Sequence, residues 1–145
     1  MMKERLMAIF IGLIMVFSIA GFAFNSVVHY QGPSVPEIPT VVTKKLNPQE
    51  ILMVLRSGRV LIENVYTENC SECLERNAVL ESFAHQFDGF VVLENVKGNK
   101  TVLQMIGRNG EIRDLTSKKI NQSYLMDVFC DMAIAQPKEC LLREI

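Results

Sequence analysis

Val60-Leu-Ile-Glu-Asn-Val-Tyr-Thr-Glu-Asn-Cys-Ser-Glu-Cys73 (VLIENVYTENCSEC) is the stretch on which the fold of this chain turns. Its first half, with Arg59 ahead of it, is rich in β-branched and aromatic residues and predicts a strand over 59–66. After Thr67-Glu68-Asn69 the character changes. Cys70-Ser71-Glu72-Cys73 opens a segment in which Leu80, Phe83, Ala84 and Phe87 recur at i, i+3, i+4 and i+7, which predicts a helix running to about Phe87. Two cysteines thus stand one turn apart where a strand hands over to a helix. Unpaired N–H groups and the dipole at a helix start favour a nearby thiolate. Cys70, at the extreme start, is expected to be exposed, and Cys73, in line with Leu80 and Phe87, to point inward.

Working outward, Thr40–Thr43 (TVVT) is a short candidate strand. Asn47-Pro48-Gln49-Glu50 carries the signals of a helix start: Asn as cap, Pro at the first helical position, and Glu three residues after the cap. Ile51, Leu52, Val54 and Leu55 are expected on its buried face, and Ser57-Gly58 at its end. On the other side, Asp88-Gly89 is a turn, 90–96 a strand, 97–100 a tight connection and 101–106 a further strand. Arg108-Asn109-Gly110 is a hairpin signal leading into 111–115. Asn121 caps a last helix running to about Ala135, with Leu125, Val128, Phe129 and Met132 facing inward. The order β-α-β-α-β-β-β-α predicts an α/β domain with a mixed sheet covered by helices.

A strand ending in C-x-x-C at a helix start resembles the thioredoxin-like family. VLIENVYTENCSEC is similar to that family's central strand and active-site turn, TVLQMIGRNGEIRDL (Thr101–Leu115) to the hairpin after its substrate-binding loop, and the final helix falls where the family's does. The resemblance covers roughly residues 39–135. It implies thiol–disulfide exchange without a bound cofactor, with Cys70 as nucleophile and Cys73 as the thiol that resolves the mixed disulfide.

Departures from the family pattern are as informative. Asn69 stands where the family carries Trp, and Ser71-Glu72 where it carries Gly-Pro. Asn64 occupies the place of a buried, proton-relaying Asp, and its neighbour Glu63 is either a displaced acid/base group or an ordinary strand residue. The family's cis-proline position falls at Lys100, where a non-proline cis bond costs about 3 kcal/mol, so a trans peptide is expected. The family places a helix between the strands matching 90–96 and 101–106, but here four residues connect them. Either the link crosses the end of the central strand and keeps Lys100 near Cys70, or the strands form a plain hairpin and Lys100 lies elsewhere. Glu63, Glu68, Glu72, Glu75 and Glu81 are opposed only by Arg76 between residues 63 and 81. Such a balance disfavours a Cys70 thiolate relative to strong oxidants of the family.

Cys130 sits off the core stripe of the last helix, beside Met126, Ala133 and Ile134. Pro137 stops that helix, and the tail 138–145 is expected to fold back, burying Leu141, Leu142 and Ile145 and bringing Cys140 over Cys130 in a structural disulfide. The alternative leaves Cys130 free and the face open to a partner.

The 145-residue chain is 49% hydrophobic with net charge -1, which argues against a dedicated nucleic-acid binder with its basic face. Two histidines, His29 and His85, are too few for a His-rich metal site, and neither forms a Cys–His hydrolase constellation. Lys3, Glu4 and Arg5 precede an uncharged run, residues 6–24, whose length of about 28 Å as a helix matches a bilayer core. The segment 1–24 is therefore either an uncleaved membrane anchor or a signal peptide cleaved after Gly21 and Ala23. Residues 25–39, with Pro33, Pro36 and Pro39, form a tether, and 40–145 the thioredoxin-like domain. Absence of positive charge between Arg5 and Lys44 puts the domain outside the cytoplasm. Its partners there are exported thiol or disulfide proteins, or a redox partner. Two other readings stay open: a non-catalytic binding module with a fixed Cys70–Cys73 bridge, and a metal-holding site at those cysteines.

Overall fold

A computed structural model describes residues 37–143, together with Lys3, Arg5 and Met7. The apolar run 6–24 apart from Met7, the tether through Pro36 (with His29), and Ile145 lie outside the described residues. No helix among the described residues is long and apolar enough to cross a membrane. The chain divides into two units, Met1–Glu37 and Ile38–Ile145, and the fold is that of the second.

Its elements are β1 (Val41–Val42), α1 (Pro48–Arg56), β2 (Val60–Tyr66), α2 (Ser71–Gln86), β3 (Val91–Lys97), β4 (Val102–Ile106), β5 (Ile112–Asp114), α3 (Gln122–Met132) and α4 (Lys138–Leu141). The expected order is present, with the short α4 added. Local chemistry explains the boundaries. At the start of α1 the Asn47 side chain accepts from the Glu50 N–H at 2.9 Å while the Glu50 carboxylate accepts from the Asn47 N–H at 2.8 Å, a reciprocal cap. At its end Gly58 takes a left-handed conformation (φ 83°) that a side chain would oppose.

The sheet runs β1-β3-β2-β4-β5. β3 is parallel to β1 and β2, whereas β4 is antiparallel to both β2 and β5. Because strand side chains alternate, register divides the core in two. Ile62, Leu93, Leu103 and Met105 face α2 and α3, where Phe83, Phe87 and Phe129 pack with ring centroids 4.8–5.8 Å apart. Leu61, Val92 and Ile106 face α1, whose Val54 is fully buried and whose Ile51 and Leu55 pack beside it. Leu52, expected on that face, is 46% exposed, because two residues along a helix point to opposite sides and Val54 holds the inner one.

β3 and β4 flank β2 on opposite sides, so the link 98–101 crosses the end of the central strand; the plain hairpin is excluded. Gly98 N–H donates to the Tyr66 carbonyl at 2.9 Å. The approach is so close that a Cβ on Gly98 would come within 2.5 Å of Val65 Cγ1.

The tail folds back through α4, and Cys140 is buried. Leu141 and Leu142, expected to be covered with it, are 55% and 68% exposed. One turn of helix can aim only one side inward, and Cys140 takes that side.

Candidate functional site

β2 delivers the chain to the start of α2, where Cys70 is the cap residue in extended conformation and Ser71 the first helical residue. Cys70 and Cys73 are joined in a disulfide with Cα atoms 5.2 Å apart. Their surroundings differ as the spacing implies. Cys73 is buried at 1% exposure, on the stripe that continues through Asn77, Leu80 and Ala84, whereas Cys70 is part-exposed and opens onto a cleft of about 600 Å³. Attack by an outside thiol can reach Cys70 alone.

One wall of the cleft is α2, with Glu72, Glu75 and Arg76. The others are Thr101, just before β4, and the segment after β5 that carries Lys118 and Lys119. This changes the electrostatics read from residues 63–81. Glu68 pairs with Lys97 at 3.3 Å, both exposed. The Glu81 carboxylate accepts from Asn95 Nδ2 at 3.1 Å. Among the described residues, the cleft holds two carboxylates, Glu72 and Glu75, against three cations, Arg76, Lys118 and Lys119. The acidic surplus expected around Cys70 is offset by lysines distant in sequence.

Glu63 is not beside the cysteines. Alternation turns it to the α1 face of the sheet, where its carboxylate accepts from Gln104 Nε2. There it neighbours Glu94 in register. Glu94 is buried, one carboxylate oxygen accepting from the Leu46 N–H at 2.8 Å and the other having no partner among the described residues. Burial, the larger influence, pushes its carboxyl above the ordinary value against the Leu46 hydrogen bond, which lowers it.

Asn64 lies on the same sheet face as α2, beneath Cys73, and is fully buried. Its Nδ2 donates to Asn77 Oδ1 at 2.7 Å and to Asn95 Oδ1 at 2.8 Å. Its Oδ1 accepts from Arg76 Nη2 at 3.0 Å, and the same nitrogen reaches Cys73 Sγ at 3.6 Å. Where the resemblance expects a titrating acid, three neutral amides and a guanidinium stand instead.

Lys100 is exposed and stays outside the cleft; its neighbour Thr101 lines it. No cis peptide occurs among the described residues, so the expected trans bond holds at Lys100. His85 is exposed on α2. Cys130 and Cys140 are joined, Cα atoms 5.4 Å apart, and do not line the cleft. No group of three or more His, Cys, Asp or Glu that could hold a metal occurs among the described residues.

No family model matches the chain, and no curated protein does. Solved structures do match. A mutant thioredoxin from Halobacterium salinarum superimposes with TM-score 0.50 at 16% identity, over 73% of this chain and all of that one. Chloroplastic thioredoxin z matches with TM-score 0.50 at 15% identity, over 62% of this chain and 93% of its own. The domain has a thioredoxin-like fold. The J-Trx1 fragment of ERdj5 also aligns, at TM-score 0.47 and 16% identity over 66% of this chain, which spans 52% of that fragment.

Sequence reasoning about this thioredoxin-like domain missed Arg76, Asn77, Asn95, Thr101 and the two cleft lysines. For Asn77 a signal existed: it lies four residues after Cys73 and three before Leu80, on the buried stripe.

Proposed function

We propose that this chain is a thiol–disulfide oxidoreductase held at a membrane by residues 6–24 and working on the extracytoplasmic side. Cys70 attacks a substrate disulfide, or receives a substrate thiolate, and Cys73 resolves the mixed disulfide. Substrates are cysteines of exported proteins or of a redox partner. The observation that carries this reading is the asymmetry of the pair: at the leading end of α2, Cys70 opens onto a charged cleft while Cys73 is sealed beneath it. Pairing of all four cysteines suits an oxidising compartment.

Redox titration of the full-length protein in detergent tests the activity. A reversible Cys70–Cys73 couple between about -120 and -270 mV, the span of catalytic relatives, supports it. Resistance to reduction below about -300 mV makes the bridge structural and the chain a binding module. Replacing Cys73 with Ser is expected to trap disulfide-linked partners on Cys70, whereas replacing Cys70 abolishes trapping. Protease accessibility of the domain in intact cells tests its placement.

A further inference from the structure

We infer that Arg76 is a catalytic residue of the exchange reaction, its guanidinium holding the Cys73 thiolate during resolution of the mixed disulfide. This rests on the oxidoreductase reading and specifies how a buried thiol ionises with no acid or base beneath it.

Geometry makes the case. Arg76 is one turn after Cys73 on α2, and its Nη2 lies 3.6 Å from Cys73 Sγ, the only side-chain polar contact of that sulfur among the described residues. The same nitrogen is fixed at 3.0 Å by Asn64 Oδ1. Asn64 cannot turn its amide round, because its nitrogen is committed to Asn77 and Asn95. The orientation of the guanidinium is therefore set by the floor of the site.

Charge makes it sharper. Among the described residues Arg76 forms no ion pair, and its Nε is buried without a hydrogen-bond partner. Burial lowers the guanidinium's value from its usual position, yet an arginine remains charged at neutral pH. A part-buried cation without an anion is costly. An aspartate at position 64 would have cancelled the charge; an asparagine orients it and leaves it whole. The anion that forms beside this guanidinium during resolution is the Cys73 thiolate. Other charged groups near the cleft are Glu72 and Glu75 on α2, and Lys118 and Lys119 from the segment after β5; Glu81 lies further along α2, bonded to Asn95. Of the polar residues midway along β2 and β3, the neutral Asn64 and Asn95 lie on this face and Glu63 and Glu94 on the other; Tyr66 and Lys97 share the face at the strand ends, Lys97 pairing there with Glu68.

The step balances as follows. Cys70 thiolate attacks a substrate disulfide, forming the Cys70–substrate bond and expelling one substrate thiolate, which takes a proton from water. Cys73 gives its proton to water, and Arg76 holds the resulting thiolate. That thiolate attacks Cys70 Sγ, forming the Cys70–Cys73 bond and breaking the Cys70–substrate bond. The second substrate sulfur leaves as a thiolate and is protonated. Two electrons pass from the domain's cysteines to the substrate disulfide. In the reverse direction Cys73 is the leaving group, and the same cation stabilises it.

The test uses the full-length protein in detergent. With Cys70→Ser in place, the ultraviolet absorbance of the Cys73 thiolate is followed against pH. Arg76→Gln is expected to move ionisation upward by about 1 unit or more, the usual effect of a charge at this range, and Arg76→Lys to restore most of it. With Cys70 retained and loaded with a mixed disulfide of a small thiol, release at neutral pH is expected to slow about tenfold in Arg76→Gln. Should Arg76→Gln fail to fold, Asn64→Asp serves, since a carboxylate against the guanidinium is expected to shift Cys73 the same way. Unchanged ionisation in whichever of these variants folds overturns the proposal. The absorbance experiment does not depend on turnover, so a structural, unreducible wild-type bridge would defeat the oxidoreductase reading separately.

Discussion

Asn64 and Asn95 stand opposite each other on adjacent parallel strands, and the Asn64 amide donates to the Asn95 side-chain oxygen at 2.8 Å. Both are buried, and with Asn77 they form a polar floor beneath the cysteine pair. Each amide depends on the next for satisfaction. Removing one partner leaves the rest desolvated and unpaired, at about 1–3 kcal/mol. Asn64→Ala is therefore expected to lose at least that much stability in denaturant titration, and more than Asn95→Ala, because Asn64 joins three side chains and Asn95 two.

Gly98 is expected to be the least replaceable residue of the crossover. A Cβ there meets Val65 Cγ1 at 2.5 Å, and Val65 lies on the central strand, with little freedom to retreat. Overpacking of this kind costs about 1–3 kcal/mol. Gly98→Ala should lower the denaturation midpoint by a corresponding amount, and Val65→Ala in the same chain should recover part of the loss. Additive effects of the two changes would show that they do not meet.

What the sequence disclosed and what it hid divide by range. Asn47 and Glu50 cap within three residues, and Leu80 to Phe87 repeat within two turns; such patterns are complete in a short window and the structure follows them. The cysteine pair was legible for the same reason, as a strand, a turn and a helix start in succession. The route of 98–101 was not, because both sides of β2 accept a strand and only the contact of Gly98 with Val65 records the choice. Lys118 and Lys119 come to the cleft on the segment that follows β5, which the pairing of β5 with β4 brings across the sheet, so counting charges from 63 to 81 overlooked them. Glu63 and Asn64 are neighbours in sequence yet lie on opposite faces, because successive strand side chains alternate.

Cys130 and Cys140 are ten residues apart and join α3 to the one-turn α4. Leu141 and Leu142 face outward, so apart from the buried Cys140 and Pro137 the tail is held to α3 by polar contacts, an Arg143–Asp127 ion pair and Gln136 Nε2 donating to the Cys130 carbonyl at 3.1 Å. Closing a loop of this length restricts the unfolded chain by about 2–3 kcal/mol. The double variant Cys130→Ala, Cys140→Ala is expected to lose that stability in denaturant titration, with the potential of Cys70–Cys73 unchanged. A shifted potential would show that the two bridges communicate. Mass spectrometry of the unreduced digest should give the Cys130–Cys140 peptide; a Cys70–Cys140 peptide would contradict the assignment.

Glu94 gives a pH dependence whose sign follows from its burial. Its carboxyl is raised above the ordinary 4.5 in the folded protein, chiefly by desolvation. The folded state thus binds a proton that the unfolded state releases, and between the two values stability falls as pH rises. Above the folded value Glu94 is an anion with one oxygen unpartnered among the described residues, and the penalty is complete. Below the unfolded value both states are protonated and the penalty is gone. Glu94→Gln keeps an acceptor for the Leu46 N–H and removes the charge. It is expected to be more stable than the wild type above the folded value, with the difference shrinking as pH falls through that value and vanishing below about 4, the unfolded range. Denaturant midpoints for both proteins across this range decide it. A gap that is constant with pH would mean that Glu94 does not titrate across it, and that Gln acts by packing alone.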